Sequence, residues 1–227
     1  DDVLHDKFSH RLLPLFFRIE KRTLGQADRI NVVSEGFIPH IKQIAPKTRC
    51  TVFTNGISDA FLTTKFDAPP KREIPRVLYA GNIGEGQGLH KILPQASLAL
   101  RGQATFRVVG DGGRLQMLQD AISNQPETEN LTLVPPVPRL KLIDEYSQAN
   151  ILLLHLNDYP AFRKVLPSKI FEYATTKRPI VAGVSGYARE FLERYVPHAH
   201  VFDPCDTESL VSAIIAAKKG PKTIDRS

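Results

Sequence analysis

The chain has 227 residues, 42% hydrophobic and 24% charged with no Trp, and its 30 Lys and Arg against 24 Asp and Glu give a formal charge of +6. That composition supplies enough aliphatic surface for a real core, in one large domain or in a domain with part of another. The basic excess is thin and scattered, with neither a Lys/Arg block nor an aromatic-basic alternation, so it argues against nucleic acid and leaves an anionic small molecule or a membrane surface.

The chain does not begin with Met and opens on a charged stretch, so we expect a piece of a longer protein. Residues 8–27 carry a helical pattern. Within them Leu12-Leu13-Pro14-Leu15-Phe16-Phe17 is flanked by Arg11, Arg18, Lys21 and Arg22, which suits either an amphipathic segment on an anionic membrane or a helix packed on another domain. Residues 29–33 and 51–54 read as strands, with a helix over 37–44 between them. Asn55-Gly56, Pro69-Pro70 and Pro75 then mark residues 55–75 as turn-rich, the composition of an interdomain hinge.

From Arg76 onward short apolar runs alternate with helical patterns, the signature of βα units around a parallel sheet. Strands are expected over 76–80, 105–109, 131–134, 150–156, 179–182 and 200–202, and helices over 89–101, 113–123, 139–148, 168–176, 186–194 and 207–218. The predicted fold is α/β, a Rossmann-like parallel sheet with helices on both faces, plus a partial second α/β domain. The expected division is 1–60 for the partial domain, 61–75 for the hinge and 76–227 for the second domain. In a parallel sheet every βα junction lies on one edge, where open α/β folds bind ligands. Gly81 to Gly88, Gly110 to Gly113, Pro135 to Pro138 and Gly183 to Gly186 should therefore converge on one crevice.

The glycine loop Gly81-Asn82-Ile83-Gly84-Glu85-Gly86-Gln87-Gly88 follows a strand and precedes a helix. It fails the dinucleotide pattern, because the third glycine is Leu89 when counted from Gly84 and Leu115 when counted from Gly110. It also fails the P-loop pattern from Gly81, whose Lys is replaced by Gln87. Gly81, Gly84, Gly86 and Gly110 still permit close backbone approach to a ligand.

The segment Leu166-Pro167-Ser168-Lys169-Ile170-Phe171-Glu172-Tyr173 carries a helix start, a cation and a carboxylate within one and a half turns. Pro167 fits a first turn, and the amides of Ser168, Lys169 and Ile170 are then expected to point outward as an anion site. Lys169 adds a full charge. Glu172 lies one turn on, where a carboxylate can accept from the vicinal hydroxyls of a ribose. The combination suits a nucleotide-sugar diphosphate.

Two cysteines far apart, Cys50 and Cys205, cannot frame a disulfide scaffold and read as reduced thiols. His198 and His200 with Asp203 and Cys205 match no metal-ligand spacing, so no metal and no other cofactor is expected. No apolar run approaches the 18 residues of a membrane span.

Residues 27–37 (Ala27-Asp28-Arg29-Ile30-Asn31-Val32-Val33-Ser34-Glu35-Gly36-Phe37) and Thr51-Val52-Phe53-Thr54-Asn55-Gly56-Ile57 resemble the close of the N-terminal domain in retaining GT-B glycosyltransferases. Residues 76–88, Val108-Val109-Gly110-Asp111-Gly112, residues 146–154 and residues 166–173 are similar, in the same order, to that family's C-terminal donor-binding domain. The likeness covers nearly the whole chain. Its flavour is that of bacterial O-antigen and capsule enzymes, including N-acetyl-fucosamine-type transferases.

The resemblance implies that Glu172 is the second carboxylate of an E-x7-E motif and binds the donor ribose, with the first carboxylate replaced by Lys164. It places the diphosphate on the amides of Ser168 and Lys169, beside Leu166, and base recognition at Pro136 and Val137. Two positions that commonly hold Arg and Lys in the family are Asn82 and Gln87 here, so Arg163, Lys164 and Lys169 are the expected replacement cations. Glu190 matches a further family carboxylate or simply solvates a helix. The expected partners are a nucleotide-sugar, UDP-linked by preference, and a lipid-linked saccharide acceptor, at the cytoplasmic face of the inner membrane with peripheral contact. Rival readings are a GT-B-fold epimerase of UDP-N-acetyl sugars and a noncatalytic nucleotide-binding module.

Overall fold

A computed structural model describes residues 13–125 and 127–219. In chain order the elements are α1 (Leu13–Gly25), β1 (Arg29–Val32), a 3-10 turn (Glu35–Phe37), α2 (Ile38–Ile44), β2 (Arg49–Val52) and α3 (Asp59–Thr63). The βα array follows as β3 (Arg76–Ala80), α4 (Leu89–Ala99), β4 (Thr105–Val109), α5 (Leu115–Ser123), β5 (Leu131–Val134), α6 (Arg139–Gln148) and β6 (Ile151–His155). A 3-10 turn (Pro160–Lys164), α7 (Lys169–Ala174), β7 (Ile180–Gly183), α8 (Tyr187–Tyr195), β8 (Ala199–Phe202) and α9 (Thr207–Lys218) complete it.

Six strands form one sheet in the order β5-β4-β3-β6-β7-β8, and β1 pairs with β2 in a separate small sheet. Every pairing is parallel, with Leu78 opposite Leu152 at the centre and Leu152 opposite Ile180 beside it. β3 and β6 are sheet neighbours although far apart in sequence, because the chain winds outward through β4 and β5 and then returns. Their loops diverge and leave a crevice at the carboxyl edge, the topological switch point of a doubly wound sheet.

Alternating side chains divide the core into two layers, as the pleat requires. Val77, Tyr79, Phe106, Val108, Ile151 and Leu153 pack on α4, α5 and α9 through Ile92, Leu93, Leu118, Leu210 and Ile214. Leu78, Ala80, Leu152, Leu154, Ile180 and Ala182 pack on α6, α7 and α8 through Tyr146, Ile170, Tyr173 and Leu192. β6 and β7 are buried at every residue, which explains their uninterrupted apolar sequences. Asp206 caps α9 by accepting from the amides of Glu208 and Ser209.

Each expected strand and helix of the array is present, with ends shifted by a few residues: β6 stops at His155, and α7 runs only from Lys169 to Ala174. In the N-terminal region the strand expected over 51–54 runs over Arg49–Val52, because the ladder with β1 closes where Val32 meets Val52. The expected helix over 8–27 is Leu13–Gly25, with residues 1–12 outside the described residues. None of its described residues is buried, and Leu15, Phe17 and Ile19 stand about half exposed. The turn-rich stretch also holds a helix that composition did not announce. Phe61 of α3 is fully buried in the second core layer, 5.3 Å from the ring of Tyr146. The apolar run Ala60-Phe61-Leu62 is too short to show a period, so the sequence offers no clear signal for a helix there.

Candidate functional site

The loops after β3, β4 and β5 enclose a cavity of about 300 Å3 at the switch point. Gly81 and Asn82 come from the first loop, Gly110 and Asp111 from the second, Pro136 and Val137 from the third, and Leu142 and Lys169 from α6 and α7. The strand ladder continues into these loops. Gly81 N donates to Val109 O at 2.9 Å, Ile83 N to Asp111 O at 2.8 Å, and Gly110 N to Val134 O at 2.9 Å. Gly110 has φ of 154°, and a Cβ there would lie 1.8 Å from Gly81 O, so only glycine lets the two loops touch. Gly81, with φ of 152°, likewise leaves the space that the Lys169 amine fills.

Lys169 is the cation of the cavity. Its Nζ donates to Ala80 O, and burial pushes its pKa down while the nearby Glu172 partly restores it. A desolvated ammonium interacts strongly with any anion that replaces water around it. Glu172 stands one turn further along α7, accepting from Tyr146 Oη at 3.3 Å and pairing with Arg139 Nη2 at 3.3 Å. Burial, and then the neighbouring Glu172 carboxylate, push the Tyr146 hydroxyl well above its ordinary value, so it stays a donor. Tyr79, also raised by burial, donates to Asn82 O at 2.6 Å and fixes the first residue pair of the glycine loop.

Of the expected site residues, Gly81, Asn82, Gly110, Pro136, Val137 and Lys169 therefore meet at one cavity. Glu172 belongs to the same helix but does not line the cavity wall. The first-turn amides are fewer than expected: Ile170 N is turned into a 3.1 Å bond to Pro167 O, because the short helix opens as a tight turn, leaving those of Ser168 and Lys169. Ser168 is exposed at the helix start, and Leu166 is buried in the second core layer. Gly84 and Gly86 sit behind the cavity. Gly84 N donates to Gln87 Oε1, and a Cβ at Gly86 would meet the Phe162 ring.

The structure does not bring Arg163 and Lys164 to the cavity. Both lie in the 3-10 turn Pro160–Lys164, where Arg163 pairs with Asp158 at 3.5 Å and the Lys164 carbonyl accepts from Ser34 Oγ at 2.6 Å. That turn is wedged between the two regions of the chain, and a Cβ at Gly36 or Gly186 would strike its backbone. Asn82 and Gln87 pair with each other, Nδ2 to Oε1 at 2.8 Å. Sequence reasoning missed Tyr79, on β3, and Arg139 and Tyr146, at the two ends of α6. Only the position of Arg139 immediately after the proline turn hinted at the shared edge. Among the described residues no group of three His, Cys, Asp or Glu is arranged to hold a metal ion, both cysteines are free, and no helix is long and apolar enough to cross a membrane.

Comparison with known proteins agrees with this architecture. The chain is 27% identical over 214 residues to a protein of Escherichia coli (strain K12) named as a colanic acid biosynthesis glycosyl transferase, WcaI, covering 90% of this chain and 49% of that one. It thus spans about half the length of that curated relative. Among solved structures it superposes on HepE of Anabaena in complex with UDP-glucose with a TM-score of 0.73 at 15% identity, covering 96% of this chain and 61% of the other. Sucrose-phosphate synthase from Thermosynechococcus elongatus gives a TM-score of 0.70 at 18% identity, covering 96% and 57%. These likenesses establish a Rossmann-like sheet of the GT-B glycosyltransferase type. Residues 62–226 match the family described as glycosyl transferases group 1, and the chain belongs to that family.

Proposed function

We propose that this chain forms the donor-binding part of a glycosyltransferase, holding a UDP-linked sugar whose diphosphate lies against Lys169 and whose ribose reaches Glu172. The observation that carries the reading is the half-buried Lys169 amine at a switch-point cavity walled by glycine loops, with a carboxylate one turn beyond it. The base is assigned to the slot beside Pro136 and Val137, which proline stiffens in advance of binding. The complex of HepE with UDP-glucose, in the same fold, supports this choice of donor.

In transfer the bond between the sugar's anomeric carbon and the diphosphate oxygen breaks, and negative charge builds on the departing nucleoside diphosphate. Lys169, desolvated and anchored on Ala80 O, is placed to stabilise that charge without reorganising. Arg163 and Lys164 would contribute only after the 160–164 turn had moved, so the proposal rests the charge on Lys169. We assign retention of the anomeric configuration and a lipid-diphosphate-linked saccharide acceptor at the cytoplasmic membrane face, in surface polysaccharide assembly. The name of the Escherichia coli relative supports that setting.

Calorimetric titration of the chain with UDP, GDP, ADP and CMP tests the donor assignment, with UDP expected to bind most tightly. Glu172→Ala should weaken UDP roughly tenfold or more, the loss of a charged hydrogen-bond partner. Equal affinity of Glu172→Ala and the unsubstituted chain sinks the ribose assignment. In a longer form that transfers sugar, Lys169→Ala should lower kcat far more than donor affinity.

A further inference from the structure

Behind the cavity lies a polar cluster buried between the glycine loop and the carboxyl ends of β6 and β8. His155, the last residue of β6, is fully buried and stacks on Phe202 at 5.9 Å. Its Nδ1 is 2.5 Å from Gln87 O, and its Nε2 is 2.9 Å from Cys205 N. A carbonyl only accepts and an amide only donates, so the ring is neutral with its proton on Nδ1. Asn157, also buried, donates from its backbone amide to Gly86 O at 2.8 Å and from Nδ2 to Glu85 O at 3.0 Å. Its Oδ1 accepts from Lys91 Nζ and Cys205 Sγ, each at 3.0 Å.

Three successive carbonyls of the loop, those of Glu85, Gly86 and Gln87, are thus each held by the end of β6. The grip continues forward. Gln87 Oε1 accepts from Asn82 Nδ2 at 2.8 Å and from Gly84 N at 3.2 Å, and Asn82 lines the cavity. Buried polar groups are costly unless every bond is made, and an aliphatic residue would fill the same space between the layers. The bonds His155 and Asn157 make go to the loop and its neighbours, not to the cavity.

We propose that His155 and Asn157 are positioning residues for the donor site, clamping residues 85–87 so that Asn82, held through Gln87, is presented to the donor in one fixed arrangement. The inference rests on the reading of the cavity as a nucleotide-sugar site. Displacing a binding group by a fraction of an ångström from the productive geometry is enough to lose much of its effect.

The test is UDP titration of the chain, run beside circular dichroism and amide hydrogen exchange to verify folding and loop order. His155→Leu and Asn157→Ala should each weaken UDP by about tenfold and speed exchange of the Gly84 and Gln87 amides, and His155→Gln, which keeps a donor and an acceptor, should recover most of the affinity. Leu192→Ala, a buried change on α8, controls for general loss of stability and should leave affinity within about twofold. If His155→Leu does not fold, Asn157→Ala decides, because it leaves the imidazole and its stack in place. Folded variants with wild-type affinity overturn the positioning role alone, as does an equal loss in Leu192→Ala. No UDP binding by the unsubstituted chain overturns the function proposed for the cavity, and this inference with it.

Discussion

The six-stranded and two-stranded sheets are both parallel, yet they differ in what covers them. β6 and β7 are buried at all their residues by helices on both faces, whereas β1 and β2 bury only Val32. Parallel ladders depend on covering layers, because their hydrogen bonds alone contribute little net stability. The cavity lies at the carboxyl edge of the well-covered sheet, where each glycine loop is laced to its neighbour. Chemistry of matching type should therefore cost far more in the large sheet than in the small one.

The largest expected effect is at Phe61, which joins the stretch after the small sheet to the core of the large one. Phe61→Ala removes a fully buried ring from Tyr146 and should cost about 3–5 kcal/mol. Urea unfolding reads this directly, and a loss below about 1 kcal/mol would detach α3 from the large unit.

Phe61 also shows where the sequence stops being legible. The central strands β3, β6 and β7 declare themselves as apolar runs, because both of their faces are buried. Their order around the switch point follows from the handedness of βα units. Gly81, Gly110 and Lys169 could be placed at the carboxyl edge of the sheet because each follows a strand or opens a helix. Tyr79 on β3 and Arg139 and Tyr146 on α6 could not, since only the packing of α6 and α7 on the sheet brings them beside Lys169 and Glu172. Arg163 and Lys164 lie away from the cavity for the opposite reason. They are close to Lys169 in sequence, but a 3-10 turn held by Ser34 directs that segment elsewhere.

Arg178 sharpens the comparison within the large unit. Its buried guanidinium donates to Ser147 O, Ala149 O and Thr176 O at 2.8, 3.0 and 2.8 Å, closing the C-terminal ends of α6 and α7, and it lies over the Phe66 ring. Desolvation lowers its pKa, and Asp67 opposes that shift. Arg178→Met keeps the packing and strands three carbonyls, for a loss of about 3 kcal/mol. Unfolding midpoints unchanged by this substitution would show that water replaces the guanidinium without penalty.

His155 gives the large unit a pH dependence. Burial, partly offset by the bond to Gln87 O, lowers its pKa from 6.5 to about 4. Between those values the unfolded chain binds more protons than the folded one, so stability is complete above 6.5 and falls as pH drops toward 4. The loss from this group between pH 7 and pH 5 is about 2 kcal/mol. His90 and His198 are also lowered by burial and act in the same direction. His155→Gln should flatten the dependence of the urea midpoint on pH; an unaltered slope would place the titrating proton elsewhere.

The smallest effect is expected in the small sheet. Val52 pairs with Val32 at the end of the β1–β2 ladder, and its side chain is half-buried. Val52→Ala removes two methyl groups that are already partly in water, so the transfer term is reduced and little cavity remains; about 0.5–1 kcal/mol is expected. Because the two sheets share no strand, the substitution should add to Phe61→Ala without coupling. Measured in a double-mutant cycle, an interaction energy near zero would show that the two side chains are energetically independent. A coupling of 1 kcal/mol or so would instead mean that the wedge of residues 160–164 between Ser34–Gly36 and Gly186 transmits packing from one to the other, and the contrast between the regions would then be one of exposure rather than of independence.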